Sequence, residues 1–131
     1  MPALGQMQNP FESHPRIFVI DDELSIAKML SVILQMHLFD AVPFSDPQQA
    51  FEEARVSPPD YLISDIQMQQ MTGIELAILF ARDFPACKIL LFSGQPDAPE
   101  RMQQARKDGH DFAFLQKPLH PADLVAALKR L

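Results

Sequence analysis

Five short apolar runs, each closed by a polar residue and followed by an amphipathic stretch, fill the chain from Arg16 to Leu131. The runs cover residues 17–20, 39–44, 61–64, 87–92 and 112–115. The first is followed by Ile26, Met29, Leu30, Ile33 and Leu34 at helical spacing, with Asp22 as its expected N-cap. Asp46-Pro47 opens a second helix through residue 56, and Pro58-Pro59 stops it. Residues 73–83, 98–108 and 121–131 supply three more, with Gly109 as the expected C′ residue of the fourth. The fourth has a thin apolar face, Met102 and Ala105.

Strand–helix alternation repeated five times implies a parallel sheet with helices on both faces, an α/β fold. The central runs are continuously apolar, as strands covered on both sides must be. Pro43 cannot donate to a ladder, which marks the second strand as an edge.

At 131 residues the chain is one domain in size, and 47% hydrophobic content suffices for a core. Eleven Lys and Arg against seventeen Asp and Glu leave a net charge of −6. That balance disfavours coating nucleic acid or docking on an anionic membrane, because both need clustered cations. The single cysteine, Cys87, lies in an apolar run and reads as a buried small hydrophobe. No stretch is long and apolar enough to span a bilayer, and the N-terminus lacks a secretory pattern, so a cytoplasmic protein is expected. Residues 1–14 are expected to form a flexible tail and 15–131 the folded domain.

Chemistry in such a sheet gathers at the carboxyl ends of the strands. The first run ends in Asp21 and Asp22, the third in Asp65, the fourth in Ser93 and Gly94, and the fifth in Lys117 and Pro118. Each has an ordinary explanation alone: a cap, a turn or a solvated surface lysine. Four strand ends carrying this set in this order are far harder to meet by accident. Three converging carboxylates repel one another, and a hard divalent cation such as Mg²⁺, with Mn²⁺ as a substitute, relieves that. Asp65 then suits a nucleophile that takes a phosphoryl group, Lys117 a cation for a phosphoryl oxygen, and Ser93 a hydroxyl donor, with Gly94 leaving room beside it.

The segments IFVIDDE (17–23), LISDIQMQQMTGIEL (62–76), ILLFSG (89–94) and FLQKP (114–118) resemble the receiver domain of two-component response regulators. The resemblance covers roughly residues 15–131. It implies the flavodoxin-like strand order 2-1-3-4-5 and a switch that accepts a phosphoryl group rather than a turnover enzyme. In that reading Asp65 is the phosphoacceptor. Asp22, Asp65 and the Gln67 backbone carbonyl bind Mg²⁺ directly, and Asp21 binds through water. Ser93 and Phe114 form the switch pair, Lys117 pairs with the phosphoryl group, and Lys117-Pro118 is a candidate cis peptide. Gln67 and Gln95 occupy positions that tune dephosphorylation. The implied partners are a histidine kinase or histidine phosphotransfer protein, and a downstream protein at the face formed by the fourth helix, fifth strand and fifth helix.

Besides the neutral amides Gln67 and Gln95 at the tuning positions, the sequence departs from the family pattern in two further places. The loop after Asp65 reads Met68-Gln69-Gln70-Met71-Thr72-Gly73 where a proline follows the first methionine in M-P-x-M-D/S/N-G. The segment from Gly109 to Lys117 is one residue longer than usual. Two alternatives remain: a degenerate receiver that binds without phosphorylation, and a Mg²⁺-dependent phosphatase of the haloacid-dehalogenase type. The latter needs D-x-D at the first strand, where Asp21 and Asp22 are adjacent. His14, His37, His110 and His120 share no ligand spacing; His37 is expected to be partly buried, and the methionines to fill the core.

Overall fold

The computed structural model describes residues 14–131, so all but the last residue of the expected N-terminal tail lies outside the described residues. Strands β1 (Arg16–Ile20), β2 (Asp40–Phe44), β3 (Tyr61–Asp65), β4 (Lys88–Ser93) and β5 (Ala113–Gln116) alternate with helices α1 (Leu24–Met36), α2 (Pro47–Val56), α3 (Gly73–Asp83), α4 (Ala98–Lys107) and α5 (Pro121–Lys129). The strands form one parallel sheet in the order β2-β1-β3-β4-β5, the expected flavodoxin-like arrangement. β5 begins one residue later than the sequence suggests, in register with Leu90↔Ala113.

Successive strand residues face opposite sides of the sheet. Phe18, Ile20, Leu62 and Leu91 pack beneath α2, α3 and α4. Ile17, Val19, Ile63, Leu90 and Phe92 pack beneath α1 and α5. Phe18, Phe80 and Phe92 are among the large side chains fully buried in these two layers. Cys87 is buried as expected, and burial pushes its thiol up to about 12.

β2 is the edge that Pro43 announces. Phe44 O accepts from Asp21 N toward β1, so neighbouring Pro43 faces the free edge, where it brings no N–H. Gln35 Nε2 donates to Ala41 O at 3.1 Å and covers part of the same edge.

Helix ends follow side-chain chemistry. Asp46 accepts from Gln48 N at 2.9 Å with Pro47 at the first helical position. Thr72 and Glu75 close a reciprocal capping box on α3. Gly109 takes φ 94°, as a C′ glycine does.

Three expectations fail on and around α1. Asp22 does not cap it: Glu23 occupies the N-cap position without a side-chain bond. Met29 is 55% exposed, and Met36, Val32 and Leu38 also face water, because the sheet takes the stripe Ala27, Leu30, Ser31 and Leu34 instead. His37 is exposed rather than partly buried. Of the methionines, only Met68 and Met102 are buried among the described residues. No helix of the described residues is long and apolar enough to cross a membrane.

Candidate functional site

The carboxyl ends of β1, β3, β4 and β5 surround an open polar basin of about 590 Å³. Asp22, Glu23, Asp65, Gln67, Ser93 and Lys117 are among its lining residues, with Gln95 at its margin. Parallel pairing makes this convergence unavoidable. In neighbouring parallel strands all carboxyl ends lie on one rim, so residues that end separate apolar runs meet there.

Asp21 is 1% exposed. Its Oδ1 accepts from Glu23 N at 3.0 Å, and its Oδ2 is buried without a hydrogen-bond partner. Burial pushes its carboxyl up to about 6, against the lowering effect of that N–H; the Asp65 charge adds to the rise, and Lys117 opposes it. Asp65 is buried at the end of β3. Its Oδ1 accepts from Gln67 N at 3.1 Å, and its Oδ2 faces Lys117 Nζ at 3.4 Å. The same Nζ lies 3.9 Å from Asp21 Oδ2 and sits over the Phe92 ring at 5.3 Å. One ammonium thus bridges the acids of two strands.

Ser93 is 1% exposed, and its Oγ accepts from Gln95 N at 3.0 Å. A hydroxyl that already accepts still has its own proton to donate. Phe114 pairs with Leu91 across β4–β5, diagonal to Ser93 on the same sheet face, and is half-buried there. Lys117-Pro118 is cis. Gly94 does not need to be glycine for space: a Cβ there would meet Lys117 Cδ at 3.5 Å, an ordinary contact.

Asp22 lies exposed at the rim beside the buried pair. Among the described residues no three His, Cys, Asp or Glu side chains stand close enough to enclose an ion by themselves. The donor set is nevertheless made of hard oxygens around an open polar space, with one carboxylate oxygen buried without a hydrogen-bond partner. That fits a Mg²⁺ that keeps much of its hydration, rather than a softer or fully caged metal.

Sequence reasoning passed over three residues. Glu23 also lines the basin. Ser64, fully buried, donates from Oγ to Asp65 O at 2.9 Å. Glu75 closes the cap of α3, and the T-x-x-E spacing from Thr72 to Glu75 was a readable signal for it.

A family model described as the response regulator receiver domain matches residues 17–129. The chain belongs to the receiver-domain family of response regulators. Among curated relatives, the DNA-binding response regulator MtrA of Mycolicibacterium paratuberculosis is 28% identical over 114 residues, which are 87% of this chain and 49% of that protein. The chain thus spans about half the length of that relative. Among solved structures, the chemotaxis response regulator CheY4 of Vibrio cholerae is 28% identical with a TM-score of 0.79, covering 90% of this chain and 98% of that one. The signal receiver domain of an HD domain-containing protein from Pseudomonas fluorescens is 25% identical with a TM-score of 0.80, covering 89% and 93%. These receivers belong to proteins of different kinds, so membership identifies a receiver domain of a response regulator and not what it controls. Membership also sets aside the haloacid-dehalogenase alternative.

Proposed function

We propose that Asp65 accepts a phosphoryl group from the phosphohistidine of a histidine kinase or histidine phosphotransfer protein. A carboxylate oxygen of Asp65 attacks phosphorus and the P–N bond breaks. Its electron pair stays on the imidazole, which takes up a proton, and an acyl phosphate is left on Asp65. Lys117 Nζ, already beside Asp65 Oδ2, is placed to pair with a phosphoryl oxygen. Asp21, Asp22, Asp65 and the Gln67 carbonyl would hold Mg²⁺. Bound there, the ion offsets charge on the transferring group. Gln67 and Gln95, at the mouth of the basin, govern how water reaches the acyl phosphate.

The observation that carries this reading is the single Lys117 ammonium between Asp21 and Asp65, opening onto polar solvent space. A phosphoryl group on Asp65 accepts the Ser93 hydroxyl proton in a hydrogen bond and draws the Ser93 side chain toward itself, away from its present place over the Gln95 N–H. Phe114 then turns toward the space beside Ser93, and the face formed by α4, β5 and α5 is altered for a downstream protein. Only Ala98, Met102 and Ala105 anchor α4 among its buried residues, which suits an element that shifts.

Incubation with acetyl phosphate and Mg²⁺ should add the mass of one phosphoryl group to the wild type and none to Asp65→Asn. Labelling that survives in Asp65→Asn refutes Asp65 as acceptor. A wild type that takes neither phosphoryl nor beryllofluoride is a binding module instead.

A further inference from the structure

The peptide between Asp65 and Ile66 is held from several sides. Ile66 N donates to Phe92 O at 2.9 Å, and Ser64 Oγ donates to Asp65 O. Gly73, the first residue of α3, lies flat against the same peptide. A Cβ at Gly73 would stand 2.1 Å from Asp65 O and 2.9 Å from Asp65 C, closer than any side chain can come. Gly73 N donates to Ile66 O at 2.8 Å and draws the helix start onto the loop. Just before it, Thr72 N donates to Glu75 Oε1 at 3.0 Å and Glu75 N donates to Thr72 Oγ1 at 3.1 Å. Residues 66–72 are thereby closed at both ends: at β3 by the sheet and at α3 by a capped helix start. No proline stiffens residues 68–72 of this loop.

We infer that the capped start of α3 is the device that orients Asp65, with Glu75 and Thr72 as positioning residues that act through Gly73 on the Asp65–Ile66 peptide. Neither touches the reacting atoms. The cap fixes where Gly73 lies, Gly73 fixes the peptide, and the peptide sets the direction in which the Asp65 carboxylate and the Gln67 N–H leave the strand. This rests on Asp65 being the acceptor, and the test separates the two claims.

Glu75 is exposed, so replacing it removes the cap bond without opening the core. Acetyl phosphate labelling rates, at saturating Mg²⁺, should fall roughly three- to tenfold in Glu75→Ala, a loss set by misplacement and not by lost chemistry. Glu75→Gln keeps an acceptor for the Thr72 N–H and should restore the rate. Adding Gln69→Pro to Glu75→Ala should recover much of the loss, because a proline stiffens the same loop by a different route. Circular dichroism and thermal melts accompany each variant. Glu75→Ala labelled as fast as wild type overturns the inference. So does a slow Glu75→Ala when Glu75→Gln is equally slow and added Gln69→Pro recovers nothing, since the loss would then not be one of loop geometry. A wild type that is never labelled overturns the Asp65 reading instead.

Discussion

Asp21→Asn should make the metal-free protein more stable at neutral pH, by an amount that depends on pH in a defined way. Asp21 is 1% exposed, and its carboxyl rises from 3.8 to about 6 on folding, chiefly through burial. Between those values the folded state binds more protons than the unfolded state, so stability falls as pH rises. Each pH step of one costs about 1.4 kcal/mol, and the whole interval about 3 kcal/mol. The contribution is fully present below 3.8 and lost above about 6. An asparagine has nearly the shape of the protonated acid and no charge to desolvate. Its unfolding free energy relative to wild type should therefore gain about 3 kcal/mol between about pH 4 and pH 7, roughly 10 °C in Tm. Urea unfolding of both proteins in chelator, repeated across that interval, measures the difference directly and cancels the other titrating groups. Mg²⁺ added at pH 7 should narrow the gap, because the wild type, which keeps the Asp21 charge, binds the ion more tightly than the variant and gains up to about 2.7 kcal/mol at a hundred times its Kd. A gap that stays constant with pH would refute the claim that burial of a charged Asp21 strains this fold.

Three shorter predictions concern the scaffold. Cys87, buried with its thiol pushed up to about 12, should react with a disulfide reagent only as fast as the protein opens; prompt labelling of native protein counts against its burial. Pro43→Val returns an N–H to the free edge of β2 and should promote concentration-dependent association seen by light scattering, and a variant that stays monomeric would show that Gln35 suffices to guard that edge. Leu34→Ala should cost about 2–5 kcal/mol, whereas Met36→Lys should change stability by less than about 0.5 kcal/mol, and comparable losses in urea unfolding would mean that α1 buries the other stripe.

α1 shows where periodicity stops being informative. Its sequence is apolar on more than one side, so Ile26, Met29, Ile33 and Ala27, Leu30, Leu34 fit a helical repeat equally well. Which stripe meets the sheet is decided by how the helix lies on β1 and β2, and that depends on pairing distant in sequence. Leu38 is similar: its φ of 67° closes the helix where glycine is usual, and nothing in the local sequence announces it. The central strands are legible for the opposite reason. β1, β3 and β4 are covered on both faces, so continuous apolar runs specify them without a choice of side. β5 lies at an edge with half-buried residues, and only its register with β4 sets its first residue.

The membership of the basin was readable, because run ends in a parallel sheet must share a rim; its electrostatics were not. Burial of Asp21 beneath the rim and the reach of Lys117 to both Asp21 and Asp65 depend on strand pairing and on the turn after β5. Those two facts together make the physical case for a cation. Lys117 already lies 3.9 Å from Asp21 and lowers its carboxyl, yet burial still wins and holds that group at about 6, with one oxygen lacking a hydrogen bond. A single ammonium shared between two carboxylates leaves the site short of positive charge. A divalent ion among these hard oxygens would supply what is lacking and free Lys117 for an incoming phosphoryl oxygen, so the affinity of the proposed site for Mg²⁺ should rise when Lys117 is replaced by methionine, even as the proposed phosphoryl transfer to Asp65 is lost.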